Sequence, residues 1–165
     1  MNGPRIIVHG NAQDGCGNTM NEGEVIVYRH EEDIIGLSAR GGNIFVQEDV
    51  GYRAGIHMKE YQGKRPVLVI GGTARDFLGE YRAECILICL GLNLREGEYH
   101  KAEFSGTGMH GGFIYIRGNV EDYLPGKGAV LPNWKRTAIG FCTSVLVGSL
   151  LVLASMARRY WGASS

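Results

Sequence analysis

Residue types that could support metal or nucleophilic chemistry occur in this chain, but their spacing does not assemble a recognisable site. No Cys-x-x-Cys motif occurs, and the histidines are scattered without a spacing that suits a metal: His9, His30, His57, His100 and His110. Cys85 and Cys89 are four apart in a strand-like run, so they share a face. We expect buried, unreactive thiols there, with a redox or metal role as the alternative. The sequence therefore predicts no catalytic and no metal-binding residue.

Two further sequence patterns resemble a phosphate-binding loop and a pair of catalytic carboxylates. The segment from Gly71 to Asp76 follows a strand-like run, as a phosphate-binding loop would, but it lacks the Lys and Ser/Thr of a P-loop. The adjacent carboxylates Glu31 and Glu32, like Glu121 and Asp122, are interpreted as solvated corners, with general acid or base catalysis as the alternative. Phosphate binding and proton transfer are thus minor alternatives here.

Several tyrosines lie largely in the corners and loops between the apolar runs. At such positions they would supply contact area to a partner protein or cover the chain's own core, and the sequence favours neither. These residues are Tyr52, Tyr61, Tyr81, Tyr99, Tyr115 and Tyr123.

The elements that must position these residues recur with a period. Short aliphatic runs begin at Ile6, Val25, Ile44, Val67 and Ile86, at intervals of 19, 19, 23 and 19 residues, and another begins at Phe113. A period near twenty indicates repeats that bury their apolar face only by stacking. Because the leucine ladder of a leucine-rich repeat is missing, the pattern favours a β-solenoid.

Glycine and the short polar residues mark the corners between these runs. The chain has 26 glycines in 165 residues, more than twice the average of roughly 7%. Asn and Asp hydrogen-bond to nearby backbone and tolerate the left-handed region, and Gly completes the turn. We predict a structural role at nine corner positions: Gly10, Asn11, Asp14, Gly71, Gly72, Asp76, Gly118, Asn119 and Asp122.

These corners and the strands after them resemble a known family. The succession of Gly10-Asn11-x-x-Asp14, the run from Met20 to Val27, and the segment from Gly71 to Phe77 are similar to the C-terminal glycine-repeat (GXGXG) domain of the glutamate synthase alpha subunit. That domain also occurs as a stand-alone polypeptide, and one of the subunits of formylmethanofuran dehydrogenase is related to it. The resemblance covers roughly residues 5–128.

The resemblance implies a fold and a role. It implies an all-β protein, a right-handed parallel β-helix (single-stranded β-solenoid), which carries no catalytic residue and binds no cofactor. The chain would brace a glutaminase (amidotransferase) subunit and an FMN-domain subunit, with FMN and an iron–sulfur cluster held by those partners. The alternatives are a scaffold subunit of a formylmethanofuran-dehydrogenase-type complex and a membrane-anchored interaction module.

Charge and cysteine content limit the remaining classes. The 17 basic and 17 acidic residues cancel, so no electrostatic footprint for nucleic acid is present. Four cysteines do not make a disulfide scaffold, and the first residues contain no secretory signal pattern. We expect a cytoplasmic protein, membrane-associated only if its C-terminal segment inserts.

That C-terminal segment departs from the repeat. Residues 138–157 contain no charge, and a helix of that length spans about 30 Å, the thickness of a bilayer core. It is a candidate transmembrane anchor; the alternatives are a helix buried against protein and an altered terminus. We therefore divide the chain into a repeat domain (1–128), a linker (129–137), an apolar helix (138–157) and a tail (158–165).

Overall fold

A computed structural model describes residues 3–120, and the regular structure in that part consists of strands. Their bounds are β1 Arg5–Val8, β2 Glu24–Val27, β3 Asn43–Val46, β4 Val67–Ile70, β5 Ile86–Cys89, β6 Tyr99–His100, β7 Phe113–Ile116 and β8 Asn119–Val120. Each of the six aliphatic runs is thus a strand, whereas the short β6 and β8 had no counterpart in the pattern.

Six of these strands form one parallel sheet in the order β1-β2-β3-β4-β5-β7. The register runs straight across it, so that Val25 pairs with Ile44, Ile44 with Leu68, and Leu68 with Leu87. The strands β6 and β8 pair in a second, two-stranded parallel sheet. Since equivalent residues of successive repeats become neighbours, a feature repeated in the sequence forms a column in space.

Both faces of the central strands are buried, which explains why their sequences are continuous aliphatic runs rather than alternating ones. One face joins the main hydrophobic core through Val25, Val27, Ile44, Val46, Leu68, Ile70, Leu87 and Cys89. The opposite face carries Ile26, Phe45, Val69 and Ile88, which are also buried. Each such side chain contributes roughly 1.5–3 kcal/mol by leaving water. The first strand differs, because Ile6 and Ile7 remain 49% and 42% exposed at the sheet edge.

The prediction of a right-handed parallel β-helix is corrected by this architecture. The described residues form an open six-stranded parallel sheet, and its connections carry turns and isolated bridges; the one further strand within them is the two-residue β6, between β5 and β7. One row of such bridges joins Ala12, Glu31, Val50 and Ala74. The physical reason is backbone conformation: each connection contains several residues with positive φ, which interrupt an extended strand.

The remaining part of the predicted organisation lies outside the described residues. This applies to residues 121–128 of the repeat domain with Asp122 and Tyr123, and to the linker 129–137, the apolar segment 138–157 and the tail 158–165. Within residues 3–120, no helix has the length and apolar character needed to cross a membrane.

Candidate functional site

Five equivalent turns connect the strands, and they share an unusual backbone pattern. In segments 15–19, 34–38, 53–57, 77–81 and 104–108, the first, third and fifth residues all have positive φ. The central residue is always glycine: Gly17, Gly36, Gly55, Gly79 and Gly106. Two of the five turns read Gly-x-Gly at the first or last pair of these positions, in Gly15-Cys16-Gly17 and Gly106-Thr107-Gly108.

The central glycine is required by both conformation and space, as Gly55 illustrates. Its φ is +72°, and a Cβ added there would lie 2.9 Å from Leu87 Cδ1 and 3.1 Å from Met58 Sδ. A side chain would therefore be strained and would collide with the core. The central position faces inward in these turns.

The outer positions accept large side chains despite the same backbone conformation. Arg53 and Phe77 at the first position have φ of 57° and 63°, and His57 and Tyr81 at the fifth have 55° and 50°. Such residues cost of order 1–3 kcal/mol each and persist only where the surroundings fix them. Here the backbone N–H of Arg53 donates to Asp76 O at 3.0 Å and that of Phe77 to Glu103 O at 2.8 Å, which holds each turn against the next.

Stacking brings the outer side chains of the last three turns into contact. The Phe77 ring lies 5.3 Å from that of Phe104, and the His57 ring lies 5.4 Å from that of Tyr81. The Arg53 guanidinium carbon lies 5.6 Å from the Phe77 centroid. We call the resulting surface the turn-face patch; it consists of Tyr52, Arg53, His57, Arg75, Phe77, Tyr81 and Phe104.

The turn-face patch is open to solvent. Tyr52, Tyr81 and Phe104 are 41%, 51% and 48% exposed, and the Arg75 guanidinium lies 5.3 Å from the Tyr52 centroid. Aromatic residues and arginine are the types enriched at protein interfaces and among their energetic hot spots. The arrangement is therefore suited to contact with another protein.

Aspartate side chains link successive repeats through hydrogen bonds at one side of the turns. An Asp14 Oδ1 accepts a hydrogen bond from the Asp33 N–H at 2.9 Å, and an Asp33 Oδ1 accepts from the Tyr52 N–H at 2.8 Å. In the later repeats, Asp76 Oδ1 accepts from the Glu103 N–H at 3.0 Å. Each carboxylate thus satisfies a backbone donor of the next repeat.

The nine predicted corner residues fall at three strand ends. Gly10 follows β1 by two residues, Gly72 follows β4, and Gly118 follows β7 at the same distance. Asp14 and Asp76 each lie six residues after a strand and make the hydrogen bonds just described. The others are Asn11, exposed after β1; Gly71, buried after β4; Asn119, paired with Tyr99 in β8; and Asp122, outside the described residues.

The corner glycines differ in what surrounds them. A Cβ at Gly10 would meet nothing within 4 Å, whereas one at Gly72 would overlap Asp49 Oδ1. That Asp49 oxygen accepts from the Thr73 N–H at 2.6 Å, from Thr73 Oγ1 at 2.8 Å and from Asn93 Nδ2 at 2.8 Å. Burial alone would raise the pKa of Asp49, but these hydrogen bonds outweigh it and hold that pKa below its ordinary value.

The prediction that Glu31 lies in a solvated corner is wrong. Glu31 is 3% exposed and occupies a bridge position between Ala12 and Val50, while Glu32 is exposed. Neither carboxyl oxygen makes a hydrogen bond of normal geometry in the described part of the chain. Burial first, and then the charge of Asp14, raise the pKa of Glu31 to about 8, although the Cys16 backbone amide opposes this rise.

A second buried charge, Arg82, was not singled out from the sequence. Its side chain is fully buried; Nη1 donates to Cys85 O at 3.0 Å, and Nη2 lies 3.8 Å from Met109 Sδ. No described carboxylate lies within ion-pair distance of it, and its Nε has no partner. Arginine is rarely buried, so the residue type gave no reason to expect Arg82 in the interior. Its burial became visible only once the successive repeats were paired in the structure.

The cysteines and histidines do not assemble a reactive site in residues 3–120. Cys85 and Cys89 are buried, and desolvation raises the pKa of both thiols, that of Cys89 to about 12. Cys89 Sγ lies 3.9 Å from Nδ1 of the buried His100, whose Nε2 contacts Arg117 O at 2.9 Å. Across these residues, no three His, Cys, Asp or Glu side chains are grouped to hold a metal ion.

Comparison with known proteins agrees with the turn pattern. The model of the GXGXG motif family matches residues 1–125. An uncharacterized protein of Methanocaldococcus jannaschii is 53% identical over 123 residues, which are 73% of this chain and 47% of that protein. This chain thus spans about half the length of that relative. No solved structure matches. Since the family model covers most of the chain, including all five glycine-centred turns, the protein belongs to the GXGXG motif family.

Proposed function

We propose that this chain is a non-catalytic structural subunit of a glutamate-synthase-like complex. In this proposal it braces a glutamine amidotransferase subunit and a flavin oxidoreductase subunit, which carry the chemistry, FMN and an iron–sulfur cluster. Membership of the GXGXG family supports this choice, together with the resemblance of the corner residues to the GXGXG domain of the glutamate synthase alpha subunit.

The turn-face patch is the observation that carries the proposal. A surface of stacked aromatic rings and arginines, with Tyr81 51% and Phe104 48% exposed, is an unfavourable arrangement to leave in water. Its residues sit on a backbone fixed by hydrogen bonds between repeats, so little conformational entropy is lost on binding. A rigid aromatic surface of this kind favours a scaffold that presents a docking face.

The experiment is affinity purification of the tagged full chain from cells that contain its natural partners. We expect an amidotransferase subunit and a flavoprotein subunit to co-purify, and a flavin spectrum from the complex but not from the isolated chain. Glutaminase activity or bound flavin in the isolated chain would contradict a non-catalytic role. Recovery of molybdenum- or tungsten-enzyme subunits instead would replace the proposal with the formylmethanofuran-dehydrogenase-type alternative.

A further inference from the structure

A surface pocket that shares no lining residue with the turn-face patch lies at an insertion in the repeat. The connection from β3 to β4 is longer than those before it. Ile44 pairs with Val25 on one side and with Leu68 on the other, and more residues separate Ile44 from Leu68 than from Val25. Its extra residues form a tight turn in which Tyr61 and Lys64 exchange backbone hydrogen bonds of 3.1 Å. Insertions within repeats commonly form loops on a binding face.

The turn borders an open pocket of about 360 Å³ lined by Asn21, Arg40, Tyr61, Gln62 and Lys64. The central residues of the turn, Gln62 and Gly63, have φ of 52° and 76°, the pattern of a rigid two-residue hairpin turn. The pocket volume lies at the lower end of the range of small-molecule sites. The backbone of the turn is therefore preformed, and the volume of the pocket suits a small group.

Arg40 is the polar group that the pocket leaves without a counter-charge. Its guanidinium carbon lies 5.5 Å from the Tyr61 ring centroid, and its Nε is buried without a hydrogen-bond partner. The neighbouring Lys64 is already paired with Glu22. Among residues 3–120, Arg40 takes part in no ion pair, so the pocket retains one net positive charge.

We propose that this pocket binds a carboxylate group through Arg40. A guanidinium presents its N–H donors in a planar fork that matches a carboxylate, and a single uncompensated charge matches a monoanion better than a phosphate dianion. The Asn21 and Gln62 amides supply further donors, and the Tyr61 ring forms an apolar wall. The carboxylate would come from a free small acid or from an acidic side chain of a partner protein. The proposal is independent of the scaffold role.

The test is an NMR titration of the full-length protein that follows the Arg40 Nε–H and Tyr61 ring resonances. The probes are acetate, a capped Gly-Glu-Gly peptide and inorganic phosphate, each at constant ionic strength. We expect saturable shifts with a carboxylate probe in the millimolar range. Saturation by acetate identifies a free acid as sufficient, whereas saturation by the peptide alone identifies a partner side chain.

Variants establish which side chain is responsible. In Arg40→Gln the saturable response should disappear, and in Arg40→Lys affinity should fall by about tenfold because the planar fork is lost. Arg75→Gln is the matched control, since Arg75 also lies over a tyrosine ring, at 5.3 Å from the Tyr52 centroid, but does not line this pocket. It should bind like the unaltered protein.

Three results would overturn the proposal. These are no saturable shift with either carboxylate probe, equal affinity for phosphate, and a carboxylate response that survives in Arg40→Gln. Backbone spectra of each variant must match those of the unaltered protein, which separates loss of binding from loss of folding.

Discussion

The Arg53 guanidinium lies 5.6 Å from the Phe77 ring although both residues have positive φ, an uncommon state for side chains of this size. The left-handed conformation recurs at the same position of each turn, so side chains from successive repeats are stacked in register. The contact is worth about 0.5–2 kcal/mol, comparable with the strain of one such residue. We infer that the strain is offset by stacking within the turn-face patch.

The inward-facing central glycines should be much less replaceable than an outer glycine of the same turns. Gly55→Ala places a Cβ 2.9 Å from Leu87 Cδ1 at φ +72°, so strain and overpacking add, and we expect a loss of about 2–4 kcal/mol. Gly15→Ala has φ +76° with nothing within 4 Å and should lose only about 1–2 kcal/mol. Urea unfolding measures both. Equal losses would show that packing at Gly55 is unimportant.

Removal of the Asp49 carboxylate should weaken the link between three segments. Asp49→Ala leaves the Thr73 N–H, its hydroxyl and the Asn93 amide without their acceptor, so the free energy of unfolding should fall by about 1.5–3 kcal/mol at neutral pH. Because the pKa of Asp49 is lowered in the folded state, this stabilisation is present above the ordinary carboxyl pKa and is lost as pH falls through the folded value. The difference between the two proteins should therefore shrink as the pH falls; a difference that is the same at acid and neutral pH would contradict the assignment.

The raised pKa of Glu31 predicts the opposite pH dependence of the free energy of unfolding. Its pKa is raised from 4.5 to about 8. The contribution of the neutral carboxyl to the free energy of unfolding is therefore fully present below pH 4.5 and is lost as the pH rises towards 8. Glu31→Gln removes the ionisation, and the variant should be the more stable protein at pH 8 and similar near pH 4. The difference should grow by at most about 1.4 kcal/mol per pH unit. Denaturant unfolding at several pH values measures it, and parallel pH profiles for both proteins would rule out a buried, titrating Glu31.

The buried guanidinium of Arg82 should be replaceable by an apolar side chain of similar length. Backbone hydrogen bonds place Arg82 between Met58 and Met109 of the adjacent repeats. Arg82→Met removes an unpaired buried charge and should leave stability within about 1 kcal/mol or raise it. Arg82→Ala leaves a cavity and should cost about 2–5 kcal/mol. Thermal unfolding distinguishes the variants, and a large loss in Arg82→Met would mean that the hydrogen bond to Cys85 O is essential.

The strands and the family were predictable because their signals are local. A run such as Val67 to Ile70 has no polar alternation, which indicates a parallel strand buried on both faces, and the recurring glycine corners indicated the GXGXG family. The β-helix prediction was wrong because non-glycine residues such as Arg53 and Phe77 adopt positive φ in the connections. Nothing in their residue types signals that conformation.

The buried charges and the turn-face patch depended on register. Glu31 stands beside Glu32 in a charged stretch, and only its alignment with Ala12 and Val50 shows that it enters the interior. Tyr52 and Tyr81 were recognised as candidate contact residues, but the contacts of Tyr52 with Arg75 and of Tyr81 with His57 required the structure. A sequence reports the period of a repeat more readily than the direction of each side chain within it.

The most direct measurement of the scaffold role is the affinity of the purified full chain for the amidotransferase and flavoprotein subunits. The double variant Tyr81→Ser, Phe104→Ser removes two exposed rings of the turn-face patch, and Tyr99→Ser, which removes a ring 47% exposed in β6, is the matched control. We predict binding by the unaltered chain, at least about tenfold weaker binding by the double variant, and no change in the control. Absence of binding by the unaltered chain would contradict the scaffold role, and equal affinities for all three proteins would contradict docking through the turn-face patch.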